Sequence, residues 1–179
     1  MKKTNLLTVG DVIKTNPFAD YWGCALVLSS KEKEEKIAPM CHIGITPVIF
    51  KHDYSFSELN IFNIEILEYE KIYRLDGSDD ASLGFIKSIE IYSRRINKNT
   101  IVIGNIDIKN MNIKNLSFVA GNGADGGWPF CGAITKNLGV IAVHSWRKKY
   151  DSAKYFSDIQ KANQSHEEML QRNTKQKST

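Results

Sequence analysis

Val9-Gly10-Asp11-Val12-Ile13-Lys14 and, after a turn, Tyr21-Trp22-Gly23-Cys24-Ala25-Leu26-Val27-Leu28 decide how this 179-residue chain is read. Both stretches are rich in branched and aromatic residues, the types that fit a pleated, half-buried surface. Between them, Asn16-Pro17-Phe18-Ala19-Asp20 reads as a turn, because proline fixes φ and Asn and Asp tolerate turn geometry. Gly23 inside the second stretch marks a bulge or bend. The pattern predicts a strand from Val9 to Ile13, a second from Tyr21 to Leu28, and a curved hairpin made of the two.

Working outward, Lys31 to Lys36 is a mixed charge run, a solvated loop or edge. Ile37 to Phe50 carries Pro39 and Pro47 and is expected to be extended and irregular. Phe62-Asn63-Ile64-Glu65-Ile66 alternates with the period of a half-buried strand. Leu83 to Ile96 fits a helix or a strand. Ile101 to Ile103, Leu116 to Ala120, Cys131 to Thr135 and Val140 to His144 read as strands. Asp151 to about Arg172 reads as a helix with Phe156 and Ile159 on its apolar edge, capped by Asp151 or Ser152. The expected fold class is therefore α+β and strand-rich: a curved β-sheet or small barrel with a C-terminal amphipathic helix. Residues 1–172 are expected to form a single globular domain, and 173–179 a disordered tail.

Composition narrows the setting. No apolar run approaches the roughly 20 residues that span a bilayer. Leu6-Leu7-Thr8-Val9 is too short for a signal sequence and is cut by Gly10-Asp11. Three cysteines, Cys24, Cys41 and Cys131, favour free thiols over a disulfide framework. A cytoplasmic location without membrane attachment is expected. The net charge of +4 is unevenly spread: between His52 and Arg95 nine acids face five bases, so the excess of bases lies elsewhere. An acidic middle suits a surface that meets a basic partner.

Several motifs invite a chemical reading. Gly121-Asn122-Gly123-Ala124-Asp125-Gly126 matches the dinucleotide fingerprint in letters alone, because Gly127-Trp128-Pro129 follows where a helix must start. Asp76-Gly77-Ser78-Asp79-Asp80 has Ala81 and Lys87 where a calcium loop needs Gly and Glu. Cys41, His42 and His52 supply three candidate ligands where structural zinc takes four. His144-Ser145 has no activating third group. No catalytic residue, metal or cofactor is expected. Glu68 and Glu70, with Glu65, form an acidic strand face. The basic clusters Arg94-Arg95 with Lys98, and Arg147-Lys148-Lys149, would bind phosphate only if interleaved with exposed aromatics. Nucleic acid is not expected as the partner.

The opening Gly-Asp-hydrophobic strand, followed by Tyr21-Trp22-Gly23-Cys24-Ala25-Leu26-Val27, resembles the immunity protein 26 family of bacterial polymorphic-toxin and contact-dependent inhibition systems. Gly127-Trp128-Pro129 and the strand at Gly132 fit the same likeness. Ala25-Leu26-Val27-Leu28-Ser29 is also similar to the end of the second strand in PemK/MazF-type ribonuclease toxins. That family's arginine is replaced here by Gly23-Cys24, which argues against a working nuclease. A shared SH3-like barrel would account for both likenesses. The resemblance implies an immunity protein, not an enzyme, that neutralises the toxic domain of a cognate toxin by stoichiometric occlusion. Its expected contacts are Glu65, Glu68, Glu70, Asp76, Asp79 and Asp80, with Trp128 and Phe130 as aromatic anchors. The alternatives are a barrel-type RNA-cleaving toxin or an RNA-binding domain.

Overall fold

The computed structural model describes residues 5–33, 38–73, 81–109, 111, 116, 118 and 132–161. The strands are β1 Asp11–Phe18, β2 Tyr21–Lys31, β3 Met40–Phe50, β4 Glu68–Tyr73, β5 Ala81–Lys87, β6 Ile89–Ser93 and β7 Ile101–Asn105. Helix α1 spans Val140–Tyr150. Five strands form one antiparallel sheet in the order β6-β3-β2-β1-β7, and β4 pairs with β5 in a second, two-stranded sheet. The architecture is α+β. Of the two expected forms it is the curved sheet: among the described residues no pairing joins β6 to β7, so the sheet keeps two edges.

The hairpin forms as expected, but its first strand starts at Asp11 rather than Val9 and runs on through Asn16 and Pro17 to Phe18, leaving only Ala19-Asp20 as the turn. Val12 pairs with Leu26 and Ile13 with Ala25. From Tyr21 to Leu28 every residue except the half-buried Trp22 is buried, the pattern of a central strand covered on both faces. Alternation sends Cys24, Leu26 and Leu28 into one apolar cluster and Ala25 and Val27 into the other. Gly10 turns the chain into β1 with φ +88, and a Cβ there would lie 2.2 Å from the Ile106 carbonyl oxygen. Asp11 then clamps both sides of that turn. It accepts from the Thr8 amide (2.7 Å), the Thr8 hydroxyl (2.9 Å) and the Asn105 side-chain amide (3.0 Å). The Gly-Asp pair is thus accounted for by the joining of β1 to β7, whose residues Asp11 and Asn105 are partners in the ladder.

Pro17 and Pro47 do not stop their strands. The β1–β7 pairing runs from Asp11 to Lys14, and the β1–β2 register breaks between Thr15 and Phe18, so the missing Pro17 amide falls in that irregularity. Pro47 sits in a register shift between Ile45 and Ile49 of β3 and beyond the Met40–Gly44 stretch that pairs with β6. The expected irregular stretch is thus a strand from Met40 to Phe50, with two register shifts against β2. Leu83 to Ile96 resolves into strands β5 and β6, interrupted at Ser88. Phe62 to Ile66 forms no strand. Ile61–Asn63 is a 3-10 turn, and the following extended residues lead to Leu67, whose amide donates to the Ile45 carbonyl at 2.8 Å.

Val140 to His144, expected as a strand, begins α1. Branched residues favour strands only weakly, and burial decides. Leu138, Ala142 and Val143, at helical spacing, are all buried. The backbone is helical again over 152–161, where the Lys154 amide donates to Asp151 Oδ1 at 3.2 Å, so Asp151 caps as expected. Phe156, expected on the apolar edge of that helix, is exposed. The chain divides between Val143 and His144 into two compact units, Met1–Val143 and His144–Thr179. Residues 173–179 lie outside the described residues. Among the described residues no helix is long and apolar enough to cross a membrane.

Each face of the sheet has its own cluster. One gathers Ile13, Ala25, Val27, Cys41, Ile43 and Ile45 with Ile134, Leu138 and Ala142. The other gathers Val12, Cys24, Leu26 and Leu28 with Tyr54, Leu59, Ile64 and Ile66. The second face brings the sheet under coil, and close approach is possible there because β3 carries Gly44. A Cβ at Gly44 would lie 2.7 Å from both Ile66 Cδ1 and Leu28 Cδ1.

Candidate functional site

The coil over the second face leaves an open groove of about 1100 Å³. One wall is the 3-10 turn and extended segment from Ile61 to Glu68, and Asn105, Ile106, Asp107 and Met111 also line it. Its apolar lining includes Ile64, Ile66 and Leu67, which are buried. Among the described residues, Glu65, Glu68 and Asp107 bring three acids to the groove, against one base, Lys87. Phe62 stands there with 91% of its surface exposed, a large apolar side chain held out of the core by the 3-10 turn.

The acidic face continues onto the β4–β5 hairpin. Glu68 faces Lys87 across the ladder and Glu70 faces Phe85. Residues two apart on a strand share a face, so Glu68, Glu70, Lys87 and Phe85 lie together. Phe85 is 75% exposed. The structure thus brings together Glu65, Glu68 and Glu70, and adds two aromatic residues that sequence reasoning does not select. Phe62 is hidden in the sequence by the alternation it shares with Ile64 and Ile66, which are buried. Asp76, Asp79, Asp80, Trp128 and Phe130 lie outside the described residues, as does the glycine-rich run 121–127.

The other candidates are dispersed. Cys41 belongs to the first cluster, and its thiol lies 3.6 Å from the Tyr92 carbonyl. His42, its neighbour on the opposite face of β3, shares a 2.7 Å hydrogen bond with Ser29 and lies against Phe118, the rings tilted at 46° with centroids 4.2 Å apart. His52 is exposed and meets Glu58 at 3.1 Å. Among the described residues no group of three His, Cys, Asp or Glu could hold a metal ion. Cys24 is buried, and burial pushes its thiol up to about 11 despite a hydrogen bond to Thr46 at 3.0 Å. At neutral pH it is a neutral core thiol.

The basic clusters lose their central members to the interior. Arg94 is buried, donating to the Leu7 carbonyl (2.9 Å) and to Glu32 (2.5 Å). Arg147 is buried and paired with Asp158. Neither guanidinium presents a charge to a polyanion. His144, a turn before Arg147, has its pKa lowered by burial and by Arg147, with Asp158 opposing.

Comparison with protein-family models, curated proteins and solved structures finds no match to this chain.

Proposed function

We propose that this chain is an immunity protein that binds and neutralises the toxic C-terminal domain of a cognate bacterial toxin, a nuclease by preference, in the cytoplasm. It acts by stoichiometric occlusion and performs no catalysis. The observation that carries the reading is the groove: apolar at its base, acidic at Glu65, Glu68 and Asp107, with Phe62 exposed beside it. A nuclease must attract a polyanion, so its active site is basic. An acidic surface steers toward such a site and raises the association rate more than the final affinity. An exposed aromatic gives that surface an anchor to bury. Asp76, Asp79, Asp80, Trp128 and Phe130, outside the described residues, remain proposed contacts on the uneven charge of the sequence and the resemblance.

Expression in cells tests the reading against an RNA-cleaving toxin. The chain alone should leave growth unchanged, and co-expressed with the toxic domain encoded beside it should restore growth. Growth arrest by the chain alone would sink the proposal in favour of the toxin. Combining Glu65→Lys with Glu68→Lys should slow association with that domain by about tenfold or more and flatten its salt dependence. Unchanged kinetics would remove this groove from the interface.

A further inference from the structure

We propose that the outer edge of β7 is a pairing surface for a second copy of this chain: two β7 strands meet antiparallel about a twofold axis and join two five-stranded sheets into one continuous sheet. The inference is independent of the immunity reading. An edge strand offers a row of amides and carbonyls to any strand that fits, and folded proteins guard such edges with charge, proline, bulges or a covering segment. The two edges of this sheet differ in that respect. β6 carries Glu90, and Gly132 lies along it: the Gly132 carbonyl accepts from the Ser93 amide at 2.9 Å, and Gly132 bridges to Tyr92. β7 reads Ile101-Val102-Ile103-Gly104-Asn105, with no charge and no proline. Among the described residues no strand pairs on its outer side. Its register against β1 shifts between Val102 and Gly104, a bulge that shortens the usable edge to Ile101–Ile103.

Exposure and self-complementarity select the occupant. In the ladder Val102 lies opposite Ile13 and Ile101 opposite Lys14, so the two side chains stand on opposite faces of the sheet. They are 38% and 51% exposed, and a strand laid beside β7 covers both at once. Antiparallel pairing centred on Val102 sets Val102 against Val102 of the copy and Ile101 against Ile103, apolar against apolar throughout. The charges at the two ends agree. Lys98, exposed just before β7, comes to the end of the copy where Asp107 stands. Asp107 is 68% exposed at its side chain, with only a loose 3.9 Å contact to Lys109. Parallel pairing would instead bring Lys98 to Lys98. An edge without charge gives a basic partner nothing to be drawn to, whereas an identical uncharged edge fits it. With so short a joint the dimer is weak and concentration-dependent.

Analytical ultracentrifugation of the full chain over a range of concentrations tests this. A reversible dimer is expected, growing with concentration up to roughly 1 mM, with hydrogen exchange at the Val102 amide slowing as it accumulates. Val102→Lys and Val102→Glu should each abolish pairing, because the twofold axis sets like charges face to face. Mixed in equal amounts, the two variants should pair again, which shows that both are folded and fixes the register at Val102. Should either variant unfold, Ile101→Lys, on the more exposed side chain, must abolish the dimer by itself. A chain that stays monomeric at roughly 1 mM would overturn the proposal. So would a dimer that these substitutions leave intact, or two folded position-102 variants whose mixture stays monomeric. Slower exchange at Val102 only when the proposed toxin domain is added would overturn it in favour of a strand from that partner.

Discussion

The two faces of the five-stranded sheet are closed in different ways. The face holding Ile13, Val27 and Ile43 is covered by the stretch from Ile134 to Ala142, a turn leading into a helix. The face holding Val12, Leu26 and Leu28 is covered by coil and 3-10 turns from Tyr54 to Ile66. The first cover sets three fully or nearly fully buried side chains, Ile134, Leu138 and Ala142, onto the sheet. Coil packs residue by residue, and it leaves the acidic groove with Phe62 standing out of it. The proposed partner surface lies where regular structure stops covering the sheet, which is where binding residues concentrate in general.

The sharpest way to break this contrast is to cut a matched cavity on each side. Ile43→Ala, at a fully buried site in the cluster closed by Ile134, Leu138 and Ala142, should cost about 2–5 kcal/mol by urea unfolding. Ile66→Ala, beside the open groove, should cost clearly less because the coil can settle into the space. Equal losses would mean that the two covers are equally rigid. Gly44→Val tests the coil side by overfilling it. With Leu28 and Ile66 side-chain carbons only 2.7 Å from where its Cβ would stand, it should cost about 1–3 kcal/mol. Hydrogen exchange should then quicken at Leu67 before it does at Ile13.

High pH should act on the coil side too. Burial raises the Cys24 thiol from 9.0 to about 11. The unfolded chain therefore releases this proton first, and the stabilisation is complete below about pH 9 and lost as pH climbs toward 11. Unfolding free energy should fall by on the order of 2 kcal/mol across that window. Tyr54, raised by burial and by Cys24 beside it, acts in the same direction. Cys24→Ala should flatten the slope, and an unchanged slope would place the titration elsewhere. The smallest stability effect belongs to Phe62→Ser, within about 0.5 kcal/mol because the ring is already exposed. Its effect should instead emerge as lost affinity for the proposed toxin partner.

Legibility follows the local code. The hairpin is readable because Val12, Ile13 and the run from Cys24 to Leu28 carry strand-forming side chains on both faces, and Asp151 because a cap needs only its own helix. Val140 to His144 reads wrongly as a strand because Val and Ile look the same in a strand and in a buried helix. Only the long-range burial of Leu138, Ala142 and Val143 separates the two. In the groove, Glu65, Glu68 and Glu70 are legible as acids on a surface. Phe62 is not, because its exposure depends on a 3-10 turn that breaks the alternation just before Ile64.

The ladder between Asp11 and Asn105 joins the start of the sheet to a strand more than ninety positions downstream. Emerging from a ribosome at about 5–20 residues per second, β1 waits roughly 5–20 s for β7. The first three strands can pair at once, while the outer side of β1 stays open to whatever strand arrives. Nascent chains of this protein are thus most prone to mispairing during that interval, and the Gly10 turn with its Asp11 clamp is closed only when β7 arrives.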